Sequence, residues 1–239
     1  MSWLEGTVVE NRHWTETLFS VRVEGVKLAF QAGQFVRIAL DVNGERVARA
    51  FSFVNPPHDP VLEFYGVIVP GGPLSPRLAR LRAGEALYVA PNPAGFLVLA
   101  ELPPAQTLWL VATGTGIAPF LSILRTAEPW QRFRKVVVVH AVRHAAELTY
   151  SDMIEKTGAH YVTFVSREAR AGSLAGRVPA AIGDGRLEAA VGVKIDEHSH
   201  FMLCGNPQML RDTTAALVAR GLRKHRRRAP GHITVESFW

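Results

Sequence analysis

The first hundred positions carry short hydrophobic runs, each broken by Gly, Pro or a polar cluster. Gly6–Glu10, Leu18–Val23, Phe35–Leu40, Val47–Val54, Val61–Val69 and Ala86–Ala90 are rich in β-branched and aromatic residues and read as strands. Asn43-Gly44, between the third and fourth, is a strong hairpin-turn signal because both residues tolerate a positive φ. Ser75–Leu81 is the one helix-like interruption. Six strands at this spacing predict an N-terminal six-stranded antiparallel β-barrel.

From about residue 105 the pattern changes. Leu108–Ala112 is an apolar strand, followed by a glycine turn and a helix-like stretch from Ala118 to Ala127. Val136–His140, Tyr161–Ser166 and Phe201–Cys204 are further strands, each leading into a turn. Strands alternating with helices predict a C-terminal α/β domain with a parallel sheet. The expected architecture is therefore two-domain. The boundary falls at Glu101-Leu102-Pro103-Pro104, giving a barrel over 1–101 and an α/β domain over 102–239. The basic run Arg223–Arg228 is the only low-complexity stretch and reads as a solvated helix end.

Composition narrows the classes. The chain has 239 residues with 48% hydrophobic and 20% charged content, a globular balance. No apolar stretch is long enough to span a bilayer, and the N-terminus lacks the basic-then-apolar pattern of a secretory leader. The single cysteine, Cys204, leaves no internal disulfide and no four-cysteine iron–sulfur cluster. The expectation is a cytoplasmic protein with no membrane association. The nine histidines are scattered without metal-ligand spacing, so no metal is expected. The formal net charge of +6 favours acidic partners, and no nucleic-acid-binding signature accompanies it.

The sharpest local chemistry is Thr113-Gly114-Thr115-Gly116-Ile117-Ala118-Pro119, directly after a strand. Glycines there let backbone amides approach a pyrophosphate, and the following helix start favours negative charge. Alone, such a turn is more often an ordinary connection; the strand before it and the helix after it favour a nucleotide site. Proline stands where the usual dinucleotide fingerprint has its third glycine. No acidic residue follows the next strand to hold a ribose hydroxyl. Arg143 follows it instead, and Arg167 and Arg177 come later. Planar guanidinium groups suit a 2′-phosphate and so NADP over NAD. Each arginine alone reads as a surface charge; as a set, the two readings balance. Asn206-Pro207 suits the start of a helix, and Cys204 alone reads as a small buried hydrophobe. In the barrel half, Arg49 and Phe51 share one face of a strand, with Ala50 and Ser52 on the other. Gly71-Gly72-Pro73-Leu74-Ser75 leads into a short helix, a second and weaker candidate anion site.

Taken in order, Ala32-Gly33-Gln34-Phe35, Arg49-Ala50-Phe51-Ser52, Leu74-Ser75-Pro76-Arg77-Leu78, the turn at 113–119, Val165-Ser166-Arg167-Glu168, Cys204-Gly205-Asn206-Pro207 and the tail from Pro230 to Trp239 resemble the ferredoxin/flavodoxin–NADP⁺ reductases of the bacterial type. The likeness runs over essentially the whole chain. It implies an FAD-dependent enzyme that exchanges hydride with NADP(H) and single electrons with ferredoxin or flavodoxin, acidic carrier proteins, and that works as a monomer. Arg49 would hold the FAD pyrophosphate, Phe51 would stack on the flavin, and Ser52 would lie near the hydride-accepting nitrogen. Tyr65 would also contact FAD, and Gly72, Leu74 and Ser75 would bind its phosphates. Thr115 would sit beside the nicotinamide path. Thr113, Gly114 and Gly116 would line the NADP site, with Arg143, Arg167 and Arg177 on the 2′-phosphate and adenosine. Cys204 and Glu236 would line the hydride-transfer site with Ser52 as the catalytic group. Phe238 and Trp239 would cover the flavin.

The chain departs from the family at three points. Tyrosine is usual where Phe51 stands and common at Phe238, and Pro73 replaces a polar residue. The stacking face survives each aromatic change, but the hydroxyl does not. Three rival readings remain: a reductase component serving an oxygenase, which often carries a four-cysteine iron–sulfur domain that a single cysteine argues against; a basic nucleic-acid-binding protein; and a non-catalytic flavin sensor.

Overall fold

The structure, a computed structural model, describes residues 2–237. It divides into two compact units, one formed by residues up to Val98 with Ala118–Thr126, the other by Leu99–Ile117 with the chain from Ala127 onward. The chain boundary thus falls at Val98/Leu99, and one later segment returns to the first unit.

The first unit holds β1 (Leu4–His13), β2 (Leu18–Glu24), β3 (Phe35–Val42), β4 (Glu45–Ser52), β5 (Leu62–Val67), the one-turn helix α1 (Ser75–Leu78) and β6 (Ala86–Val89). The strands form one antiparallel sheet in the order β4-β3-β6-β1-β2-β5. A bridge between Phe53 and Phe64 joins the chain just past β4 to β5, closing the sheet on itself. This is the expected six-stranded barrel. Asn43 and Gly44 both have positive φ, 52° and 83°, as the β3–β4 hairpin requires. A register shift between Val8 and Glu10 marks a bulge that lets β1 bend between β2 and β6. The interior is filled by Phe19, Val21, Ile38, Phe53, Phe64, Leu87 and Val89, all fully buried. Helix α2 (Ala118–Leu124) belongs to this unit and is buried along its whole length. The Ser122 hydroxyl donates to the Asn55 carbonyl at 2.7 Å, and Arg125 reaches Glu63 and Asp59 at 3.4 and 3.5 Å.

The second unit holds β7 (Thr107–Thr113), α3 (Glu128–Arg132), β8 (Lys135–Val142), α4 (Ser151–Glu155), β9 (His160–Val165), β10 (Leu174–Ala175), α5 (Val178–Gly183), α6 (Arg186–Val191), β11 (Ser199–Gly205), α7 (Pro207–Ala219) and β12 (Ile233–Ser237). All six strands run parallel in the order β10-β9-β8-β7-β11-β12. The central strands are covered on both faces and so read as unbroken apolar runs instead of alternating ones. Trp109 on β7 stacks on Phe201 of β11 at 5.1 Å between ring centres.

Two elements go beyond the four strands read from the sequence: the two-residue β10 and the edge strand β12. The basic run also differs from expectation. Helix α7 ends at Ala219, where Gly221 takes a φ of 86° and the Leu222 amide donates to the Leu217 carbonyl at 3.2 Å. Arg223–Arg228 therefore forms an exposed turn, pinned by bridges from Lys224 to Ile233 and from Arg226 to Ala229. Among the described residues, no helix is long and apolar enough to cross a membrane, and no cluster of His, Cys, Asp or Glu could hold a metal ion.

Candidate active site

In the first unit the candidate residues lie on β4, β5 and the loop before α1. Phe51 pairs with Val36 across the β3–β4 ladder and is half-buried, its ring edge-on to Phe64 at 6.5 Å. It lies against Gly66 of β5, where a Cβ would stand 2.8 Å from Phe51 Cε1. Gly66 was not read from the sequence as a site residue, since an isolated glycine in a strand carries no sign of what approaches it. Ser52 is buried, and its hydroxyl has no hydrogen-bond partner among the described residues. An unmet buried hydroxyl is costly unless something satisfies it. Arg49, next along β4, is exposed, with its guanidinium donating to the Ala48 carbonyl at 2.7 Å.

The loop before α1 is tied to itself. The Gly72 amide donates to the Val69 carbonyl at 2.9 Å, and the Ser75 hydroxyl accepts from the Val69 amide at 2.9 Å. The Gly72 N–H is therefore already used. The amides of Leu74 and Ser75 have no hydrogen-bond partner among the described residues, and it is these that an anion could meet. The Leu74 and Tyr65 side chains are buried, so Leu74 can offer only backbone.

In the second unit the candidates gather at the carboxyl ends of the parallel strands. From β7 the sheet extends one way through β8, β9 and β10 and the other way through β11 and β12. The chain reverses direction across the sheet at β7 and β11, the position where open α/β sheets bind ligands. The glycine turn lies there as a short 3₁₀ segment, Gly114–Ile117, directly after β7. A Cβ on Gly116 would stand 2.6 Å from the Cys204 carbonyl oxygen, so this glycine lets the turn press against the end of β11. The Thr113 hydroxyl accepts from the Asn206 amide at 2.9 Å, locking β7 to the start of α7. Asn206 caps α7 as expected, accepting from Gln208 and Met209 at 2.8 and 3.3 Å. Thr115 is half-buried within the turn.

The three arginines follow three adjacent strands. Arg143 comes directly after β8, Arg167 two residues after β9, and Arg177 two residues after β10, where it precedes α5. All three are exposed. The Arg167 amide donates to the Arg143 carbonyl at 2.9 Å, so two of them share one hydrogen-bonded rim. The Glu168 carboxylate accepts from the Ala145 amide and ties the same two loops together.

Cys204 is fully buried at the end of β11, facing Glu236 across the β11–β12 register. Burial, reinforced by the Glu236 carboxylate, pushes its thiol pKa well up. At neutral pH Cys204 is a protonated, compact, soft side chain, not a nucleophile. Phe238 and Trp239 lie outside the described residues.

Residues 110–215 match the oxidoreductase NAD-binding domain family. A parallel sheet with its glycine turn at the reversal point, following an antiparallel barrel, makes this a two-domain nucleotide-dependent oxidoreductase. The chain is 49% identical over 245 residues to the flavodoxin/ferredoxin–NADP reductase of Escherichia coli K12, covering 99% of each. It is 37% identical to the ferredoxin–NADP reductase of Pseudomonas aeruginosa, covering 96% of this chain and 95% of that one. A crystal structure of a ferredoxin NADP⁺ reductase from Neisseria gonorrhoeae with bound FAD and NADP superposes with a TM-score of 0.96 at 32% identity, covering all of both chains. The chain belongs to the flavodoxin/ferredoxin–NADP reductase family.

Proposed function

We propose that the protein binds FAD and NADP(H) and passes electrons between NADPH and a ferredoxin or flavodoxin. The observation that carries this reading is the reversal-point site of the parallel sheet, with its glycine turn and arginine rim, on a chain of this family. When bound, FAD supplies the conversion between two-electron hydride exchange with NADP(H) and one-electron exchange with the carrier.

The residues fit both groups. Phe51 offers an aromatic face to a flavin ring, and Gly66 behind it allows that ring its position. The orphaned Ser52 hydroxyl suits a polar edge of the flavin. Arg49 and the amides of Leu74 and Ser75 suit a pyrophosphate. Arg143, Arg167 and Arg177 supply the positive charge that a 2′-phosphate needs and that an NAD ribose does not. Cys204 and Glu236, paired at the ends of β11 and β12, suit a wall against which a nicotinamide is oriented. The net charge of +6 suits an acidic carrier. A single cysteine with no disulfide suits a reducing compartment such as the cytoplasm, and work as a monomer is carried over from the family resemblance.

The test is steady-state turnover of the FAD-loaded protein with NADPH or NADH and with ferredoxin or flavodoxin as acceptor. The reading expects carrier reduction that depends on NADPH, with NADH a poor donor. Equal use of both coenzymes, or no transfer to either carrier, would remove it.

A further inference from the structure

A buried polar side chain inside the sheet touches the glycine turn. His140, on β8, is completely buried in the sheet beside β7. Its Nε2 lies 3.1 Å from the Gly114 carbonyl oxygen. Its Nδ1 lies 3.4 Å from the Tyr161 hydroxyl on β9, which in turn lies 3.2 Å from the Ser151 hydroxyl at the start of α4. A carbonyl can only accept, so Nε2 carries the proton and the unprotonated Nδ1 faces the Tyr161 hydroxyl. Burial lowers the His140 pKa to about 4, so the ring stays neutral at ordinary pH and this tautomer persists.

The bond acts on a specific peptide. The Gly114–Thr115 unit is planar and trans, so its carbonyl and its N–H point in opposite directions. Fixing the Gly114 oxygen toward His140 fixes the Thr115 N–H away from the sheet interior. We propose that His140 is a positioning residue for the coenzyme pyrophosphate, acting through the Gly114 carbonyl to hold the Thr115 amide in its binding orientation. This rests on the proposed use of NADP(H) at the turn, and it adds a determinant that lies inside the sheet instead of on its rim. Phosphate affinity at a glycine turn needs the amides preorganised, since a turn free to rotate its peptides spends binding energy on ordering them.

The experiment compares His140→Leu, His140→Gln and His140→Asn with the unaltered FAD-loaded protein. A glutamine amide can put a donor near the Nε2 position, whereas asparagine is too short to reach. The readouts are KM for NADPH, kcat, and competitive inhibition by adenosine 2′-monophosphate, which carries the 2′-phosphate but no pyrophosphate. H140L and H140N should raise KM for NADPH about tenfold, the worth of one hydrogen bond's orientation. They should leave kcat within about twofold and inhibition by the monophosphate unchanged, while H140Q stays near the parent. If H140L does not fold, the contrast between H140Q and H140N carries the test alone. An unchanged KM in H140N, or a parallel loss of monophosphate binding that points to general collapse, would overturn the assignment. Failure of the unaltered protein to oxidise NADPH at all would sink the functional reading and this inference with it.

Discussion

The backbone amide of Arg167 donates to the backbone carbonyl of Arg143 at 2.9 Å, joining the ends of β8 and β9 into one rim with both guanidinium groups free to face solvent. A coenzyme phosphate met by this rim gains charge-assisted hydrogen bonds worth about 1.5–3 kcal/mol each. Replacing Arg143 or Arg167 with alanine should raise KM for NADPH by roughly ten- to a hundredfold on that scale. KM for NADH should hardly move. Arg177→Ala should behave alike, and steady-state kinetics with both coenzymes decides. A parallel rise with NADH would mean the rim does not read the 2′-phosphate.

The proposed function makes the Phe51 ring the flavin platform. Phe51→Ala should speed FAD release several-fold, since aromatic stacking contributes about 0.5–1.5 kcal/mol beyond area burial. Phe51→Tyr should hold FAD at least as tightly as the parent. Gly66→Ala should resemble Phe51→Ala, because the new methyl would stand 2.8 Å from the Phe51 ring and push it aside. Flavin fluorescence on dilution measures all three. Retention of FAD by Phe51→Ala would show that the ring is not the platform.

Gly116→Ala places a Cβ 2.6 Å from a backbone carbonyl oxygen of β11, which cannot swing away as a side chain end would. Overpacking of this kind costs about 1–3 kcal/mol. The variant should melt several degrees lower and bind NADP⁺ more weakly. Thermal unfolding with and without NADP⁺ separates the two effects.

His140 and His200 are both buried, and burial is the main cause that lowers their pKa values to about 4 and about 3. Unfolded, each takes up a proton near pH 6.5. Between that pH and the folded-state value the unfolded chain binds more protons, so stability rises with pH there and is lost on acidification. The loss should begin below about pH 6.5 and continue to about 4 for His140 and about 3 for His200, amounting to the order of 3 kcal/mol for His140. Denaturant midpoints across pH 4 to 7 should fall as pH falls, and less steeply in His140→Gln. A midpoint that does not change over that range would contradict the buried neutral assignment.

Most of the fold was legible because its signals are local. The barrel strands announce themselves by β-branched runs between turn residues, and Asn43-Gly44 demands its hairpin. The parallel strands read as continuous apolar runs because both faces are covered. What escaped is set by distant partners. β10 is two residues long, and nothing in Leu174-Ala175 marks it as a strand apart from its place beside β9. β12 is an edge strand, short and only half alternating. The basic run looked helical because the sequence does not say that Gly221 stops α7 before it. The same division holds for the site. The glycine turn and the arginines after strands were visible as motifs, because a strand's end is a local feature. Gly66 beneath Phe51 and His140 beneath Gly114 were not, since each works through a neighbour many residues away. The burial of Leu74 and the use of the Gly72 amide within its own loop were equally hidden.

Reducing equivalents from NADPH should enter a flavin held by this chain. Anaerobic mixing of the FAD-loaded protein with NADPH, followed by its yellow absorbance, tests it most directly. NADPH should bleach it rapidly and NADH slowly, and colour should return when oxidised ferredoxin or flavodoxin is added. A colour that persists in excess NADPH, or a polypeptide that takes up no FAD, would contradict it.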